Sequence, residues 1–212
     1  MNSEMSSMTI EKLLRFFAGS PGYLQESGWL NSMERGEAVD KEGRPIPWIT
    51  YPALDFLSPR IDSRMAVFEY GTGNSTFWWG KRVARLVSCE HDKEWYRAFK
   101  ERVIADNTTY LFRRHKGGST AYAEEIAGYP GQFDILVIDG RDRVNCIKNG
   151  LGALKPGGVV IWDNSDREEY QPGYDVLTGV RFARLDFWGL GPLSTRRWCT
   201  SIFYRADNCL GI

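Results

Sequence analysis

The chain predicts an α/β fold built on a mostly parallel, doubly wound sheet. Three observations carry this expectation. Short apolar runs alternate with amphipathic stretches from residue 65 onward. Two of the runs, "MAVFEY" (65–70) and "FDILVID" (133–139), read as buried strands, the second continuously apolar as strands buried on both faces are. The first of them breaks directly into a glycine turn, "GTGNS", before a helix-like segment.

The elements follow in order. Residues 8–18, "MTIEKLLRFFA", place Ile10, Leu13, Leu14 and Phe17 at helical spacing and stop at Gly19-Ser20-Pro21. A shorter helix is expected over 23–34. The polar, Pro- and Gly-punctuated "GEAVDKEGRPIPWITYP" reads as a loop. Residues 1–45 are therefore expected to form a helical extension, serving as a lid or equally as a homodimer interface, and residues 46–212 the main domain. A one- or two-turn helix fits 52–60. Strands are then expected at 65–70, 84–90, 108–114, 133–139 and 159–163, with helices from 75–82, over 92–105, near 119–127 and over 143–153. The last two strands, in "GVRFARLDFWGLGP" and "WCTSIFYR", have no helix between them, so an antiparallel pair closes the sheet.

Composition excludes several classes. Lys plus Arg and Asp plus Glu each total 27, so no global field favours nucleic acid or an acidic membrane. No apolar stretch approaches the ~20 residues that span a bilayer, and the N-terminus lacks the pattern of a signal peptide. The expected compartment is the cytoplasm. Cys89, Cys146, Cys199 and Cys209 form no CxxC pair, and with only His91 and His115 a zinc site is not expected.

The glycine turn excludes two ligand designs. The nicotinamide-dinucleotide fingerprint needs a third glycine where this chain has Thr76, and the phosphate-loop pattern is absent. What remains is Glu69-x-Gly71-x-Gly73. A carboxylate at the strand end repels a pyrophosphate but suits a ligand carrying an amino group and a sulfonium charge.

"FEYGTGNST" resembles motif I of the class I S-adenosylmethionine-dependent methyltransferases. The resemblance continues through "VSCEHDKEWY", "FDILVIDGRDR" and "LKPGGVVIWDN", over roughly residues 52–205. It implies a three-layer Rossmann-like fold with a seven-stranded sheet in the order 3-2-1-4-5-7-6 and an antiparallel final strand. It also implies S-adenosylmethionine as cofactor. Gly71 and Gly73 would let the backbone approach it, within a turn completed by Thr72, Asn74 and Ser75. Glu69 would lie near its methionine portion, Glu90 would accept from both ribose hydroxyls, and His91 or Asp92 would flank the adenine. One departure stands out. Many family members carry an Asp after the third strand to bind adenine, whereas "RRHKGGS" (113–119) offers Arg113, Arg114, His115 and Lys116. Adenine would then fall to backbone groups or Ser119.

The chemistry is expected at the ends of the fourth and fifth strands. Asp139 is the candidate base and a further cofactor contact. Asp139, Asp163 and Asn164 resemble the magnesium ligands of the catechol-type O-methyltransferases, although the lysine that follows the first aspartate there is missing here. The favoured alternative is that Asp139 contacts cofactor or substrate directly and Asp163 caps the next helix. Arg141, Arg143, Arg196 and Arg197 are candidates to clamp an anionic substrate group. Trp48 and Tyr51 are candidates to line a lid. Most other aromatic residues, Trp95 included, are assigned to packing, with Trp162 under a helix. The expected activity is methyl transfer to oxygen on a small molecule. A catalytically inactive protein of the same fold, binding a nucleoside or a protein partner, is the alternative. A nicotinamide-dependent oxidoreductase is disfavoured by Thr76 and Glu69.

Overall fold

The computed structural model describes residues 22–102, 105–115 and 120–212. Its seven strands are β1 (Ala66–Tyr70), β2 (Arg85–Glu90), β3 (Thr108–Phe112), β4 (Phe133–Ile138), β5 (Leu154–Asp163), β6 (Ala183–Gly189) and β7 (Trp198–Tyr204). They pair in the order β3-β2-β1-β4-β5-β7-β6. β7 runs antiparallel to both β5 and β6, and the other pairings are parallel. The fold class, strand order and antiparallel final strand are those expected.

The central strands β1, β2, β4 and β5 are buried on both faces, and the two-residue period of a strand decides which side chain goes where. Along β1, Ala66, Phe68 and Tyr70 enter one core layer with Trp162 and Ile147, while Met65 and Val67 enter the other with Tyr51, Trp79 and Ile135. Truncating a fully buried aromatic such as Phe68 or Trp162 to Ala costs about 3–5 kcal/mol. Glu69 falls in the Val67 register, so a carboxylate is carried into the second layer next to the glycine turn. Trp162 packs against Tyr174 with ring centroids 5.0 Å apart.

Helices α1 (Tyr23–Glu26) and α2 (Trp29–Arg35) replace the single helix expected over 23–34. Gly28 breaks it. Its φ is +83°, and a Cβ there would lie 2.4 Å from Val39 O. α3 (Tyr51–Leu57), α4 (Asn74–Gly80) and α5 (Lys93–Lys100) follow. α6 (Ala121–Glu124) and α7 (Arg143–Gly150) are shorter than expected because each tightens into a 3-10 turn, at Glu125–Gly128 and Leu151–Ala153. α8 (Gln171–Gly179) lies between β5 and β6, where the sequence implies a helix after Asp163 without marking its bounds. The expected helix at 8–18 and the residues Lys116 and Ser119 lie outside the described residues.

β1 pairs with β2 on one side and β4 on the other. The strand order reverses between them, so the connections leave to opposite sides and a crevice opens beyond the carboxyl ends of the strands.

Candidate functional site

That crevice is a cleft of about 1270 Å³. It is floored by the turn Gly71–Ser75 and by the ends of β2, β4 and β5, and walled by residues 36–38, Trp48 and the loop 193–198. Its volume exceeds the ~300–1,000 Å³ of a single small-molecule pocket, so it has room for two ligands side by side.

The turn is held from beneath. Glu69 is 1 % exposed, and its Oε2 accepts from Thr76 Oγ1 at 2.7 Å and from Ser88 Oγ at 2.6 Å. Burial pushes the carboxyl up to about 7, against the hydroxyls of Ser75, Ser88 and Thr76. Thr76, the residue that breaks the dinucleotide fingerprint, thus tethers the turn to β1, and it also accepts from Gly73 N at 3.2 Å. The sequence reading put Glu69 in contact with the cofactor. Instead it lies behind the turn and does not line the cleft.

The two glycines serve different ends. Gly71 has φ +84°, and a Cβ there would sit 2.6 Å from Asp139 O, so its need is the close approach of β1 to β4. A Cβ at Gly73 would meet only Trp95, at 3.8 Å, which leaves this face of the turn open to a ligand. Asn74 also lines the cleft, but its amide nitrogen is committed to Ala38 O at 2.8 Å.

Glu90 is 3 % exposed and lines the cleft at the end of β2. Oε2 accepts from Thr72 Oγ1 at 2.6 Å and from Thr72 N at 3.2 Å. Oε1 accepts from the backbone N–H groups of His91 and Asp92, both at 2.7 Å, and His91 Nδ1 stands 2.9 Å away. Burial opposes ionisation, yet these donors outweigh it and hold the carboxyl below its usual range. Trp95 is half-exposed and pins Thr72 O through its indole N–H at 2.9 Å. Its ring stacks on Phe99 along the helix face, with centroids 4.6 Å apart, so the packing expected of it also builds a wall of the cleft.

After the third strand, Arg113 is taken up by Glu125, with Nη2 donating to Oε1 at 3.1 Å. His115 Nδ1 lies 3.9 Å from Asp142 Oδ2.

Asp139, Asp163 and Asn164 do come together at the ends of β4 and β5, but a guanidinium stands among them. Arg143, at the start of α7, is 7 % exposed. Its Nη2 donates to Asp139 Oδ1 at 3.1 Å and to Asn164 Oδ1 at 3.2 Å. Nη1 donates to Asp163 O and Nε to Gly140 O. Two expectations are corrected here. Arg143 is an internal tie rather than a substrate clamp, and the three oxygen-bearing residues do not fit a divalent cation because a fixed guanidinium already holds the side-chain oxygens of Asp139 and Asn164, and Thr200 and Trp198 hold that of Asp163. No cluster of three His, Cys, Asp or Glu suited to a metal occurs among the described residues.

Asp163 does not cap a helix either. Its Oδ1 accepts from Thr200 Oγ1 at 2.6 Å and from Trp198 Nε1 at 2.8 Å. Burial and the neighbouring Asp163 carboxylate push Asp139 well above the usual carboxylate range, with Arg143 pulling the other way. Burial raises Asp163 too, against Thr200, Arg143 and Trp198. Asp139 keeps 26 % of its side chain exposed, towards the cleft.

The remaining arginines stay free of such ties. Arg141, Arg196 and Arg197 are exposed and line the cleft. Trp48 lines it as well, half-exposed, whereas Tyr51 is 1 % exposed in the core and is no part of a lid. Trp48 is placed by the next residues. Thr50 N donates to Thr200 Oγ1 at 3.0 Å and Tyr51 N to Leu190 O at 2.7 Å. No helix among the described residues is long and apolar enough to cross a membrane.

The family model of a methyltransferase domain matches residues 68–165, from β1 to just past β5. No curated protein matches the sequence. Among solved structures the chain is similar to a methyltransferase from Geobacter sulfurreducens, at 18 % identity and a TM-score of 0.52, covering 93 % of this chain and 98 % of that one. It is also similar to an rRNA methylase from Streptococcus thermophilus (14 % identity, TM-score 0.53, 72 % and 93 % covered). A third likeness is to a Streptococcus mutans protein in complex with SAH (15 % identity, TM-score 0.50, 72 % and 96 % covered). At these identities the likeness is one of fold. The chain therefore has a Rossmann-like fold, and its central residues 68–165 match the model of a methyltransferase domain.

Proposed function

We propose that this chain, whose residues 68–165 match a methyltransferase domain, transfers a methyl group from S-adenosylmethionine to oxygen on a small-molecule acceptor. The observation that carries the reading is that two carboxylates, at the ends of β2 and β4, line one cleft on either side of an open glycine turn. Glu90 is held anionic beside an open glycine turn, and Asp139 is raised at the far side.

The residues present fit the cofactor. Gly73 leaves the turn open, Glu90 at the end of β2 would accept from ribose hydroxyls in place of Thr72, and the Trp95 face closes the wall. S-adenosylmethionine supplies an electrophilic methyl group on a sulfonium. Asp139, whose affinity for a proton burial raises, takes the hydroxyl proton of the acceptor as the methyl group passes to its oxygen. Arg143 fixes the Asp139 carboxylate through Oδ1 while a quarter of the side chain stays exposed. Trp48 and the loop 193–198 exclude water and align the acceptor.

Calorimetric titration with S-adenosylmethionine and S-adenosylhomocysteine tests this. Micromolar binding, weakened in Glu90→Ala, supports it, and absence of binding for both ligands defeats it. A second reading, a binding protein without turnover, is favoured by one observation. Both Glu90 oxygens are already fully engaged by Thr72, His91 and Asp92, so a ribose must displace donors to bind. S-adenosylhomocysteine binding with no methyl transfer to a panel of hydroxylated acceptors would select it.

A further inference from the structure

The geometry points to an acceptor that carries a phosphoryl group, seated at the basic end of the cleft by Arg141, Arg196 and Arg197. This rests on the proposed methyl transfer and names its substrate class.

Charge along the cleft is segregated. Glu37, Glu90, Asp92 and Glu94 line the end by the glycine turn with a single cation, Arg102, which lies over the Phe99 ring. Arg141, Arg167, Arg196 and Arg197 line the end beyond β4 and β5, where the carboxylates Asp139 and Asp163 are already bonded to Arg143, Thr200 and Trp198. Between the two ends, Arg143 is matched internally by Asp139 and the Asp163 backbone. The acidic end suits a cationic cofactor. The basic end has no counterpart in the protein, since among the described residues Arg141, Arg196 and Arg197 have no carboxylate within 4 Å. Arg167 is different, with Glu169 at 3.9 Å.

The loop carrying two of these arginines is anchored at both ends. Trp29 Nε1 donates to Ser194 O at 2.8 Å, and Trp198 Nε1 donates to Asp163 Oδ1 at 2.8 Å. Within it, Ser194 Oγ donates to Arg196 O and accepts from Arg196 N. The Arg197 guanidinium lies over the Trp188 ring at 5.4 Å. Arginines on a tethered loop lose less freedom when they close on a ligand than arginines on a free one.

Three unmatched guanidinium groups exceed what a monovalent carboxylate needs and match a multiply charged phosphoryl group, which takes forked N–H donors on several oxygens. The arginines lie inside a cleft on a protein whose acidic and basic residues balance. That favours a small phosphorylated molecule over a polynucleotide, whose contacts spread along a basic face.

The test uses the full chain saturated with S-adenosylhomocysteine. Inorganic pyrophosphate is titrated calorimetrically at fixed ionic strength, with acetate and a short oligouridylate as comparators. Pyrophosphate is expected to bind, acetate not, and Arg141→Gln or the double variant Arg196→Gln/Arg197→Gln to lose about tenfold or more in affinity. The affinity of these variants for S-adenosylhomocysteine should stay within about twofold of the parent. Failure of pyrophosphate to bind the saturated protein, or binding indifferent to the substitutions, overturns the inference while leaving the cofactor reading intact. Acetate binding as tightly overturns the choice of phosphoryl, and tighter oligouridylate binding overturns the small-molecule class. Arginine-dependent pyrophosphate binding without any S-adenosylhomocysteine binding supports the anion site and removes the proposed function instead.

Discussion

Arg143 Nη2 donates to Asp139 Oδ1 at 3.1 Å, and this one ion pair sets the character of the cleft floor. The same nitrogen reaches Asn164 Oδ1, and the rest of the guanidinium ties Gly140 O and Asp163 O. A carboxylate pair that would otherwise repel across the β4–β5 seam is held by a cation that cannot leave. Asp142 makes the inward turn possible by taking φ +50°, a conformation Asp tolerates better than most residues.

Arg143→Met should therefore destabilise the fold by about 3–5 kcal/mol, the cost of leaving buried charge without its partner. Arg143→Lys should not restore it, because one ammonium cannot reach four acceptors in a planar fork. Urea unfolding measures both. In the parent protein, electron paramagnetic resonance with Mn²⁺ should show no stoichiometric site. One tight ion, lost in Asp139→Asn, would mean that the guanidinium yields its place.

Glu90→Gln should weaken S-adenosylhomocysteine binding about tenfold or more, through loss of a charged acceptor. Its effect on stability has a fixed sign. The native carboxyl sits below its usual range, so ionised Glu90 stabilises the fold above the unfolded value, and that contribution disappears as pH falls through the lower native one. The parent should thus lose more stability on acidification than Glu90→Gln does. Parallel acid-unfolding curves would contradict the donor set at Oε1 and Oε2.

The fold was legible because β1, β4 and the end of β5 are apolar on both faces, while a helix such as α5 is apolar on one. The bounds of α8 were not, because Pro172, Gly173 and Gly179 interrupt any helical period. In the site, Gly71, Gly73 and Glu90 could be found because each adjoins a strand end. Arg143 could not be separated from Arg141, since only the turn into α7 sends one inward and the other to solvent. The Glu69–Ser88 contact was within reach, because the parallel register of β1 and β2 sets these two residues side by side. The approach of Ala38 to Asn74 has no local signal and emerges only from tertiary packing.

Thr76→Gly restores the spacing of a dinucleotide fingerprint without restoring its function. It removes the hydroxyl that donates to buried Glu69 and places glycine in the first turn of α4. The two losses together are about 2–4 kcal/mol. The variant should melt earlier and still fail to bind reduced nicotinamide dinucleotide in a fluorescence titration, because the acidic end of the cleft still faces the ligand. Micromolar dinucleotide binding would show that Thr76 alone had excluded that cofactor.

Glu69 gives the protein a pH dependence of the opposite sign to Glu90. Its native carboxyl is raised to about 7 from an ordinary 4.5, mainly by burial. Between those values the folded state keeps a proton that the unfolded state has lost, so the stability from this group is complete below about 4.5 and falls as pH rises through about 7. The difference is worth about 3 kcal/mol at most. Glu69→Gln stays neutral throughout and keeps an oxygen for Ser88 and Thr76, so its stability should not fall over that window. Guanidinium unfolding of both proteins from pH 5 to pH 8 gives the comparison. The parent curve should descend relative to Glu69→Gln and level off above pH 8. A constant difference across the range would mean that the carboxyl is ionised throughout, and that the hydroxyls of Ser75, Ser88 and Thr76 outweigh its burial.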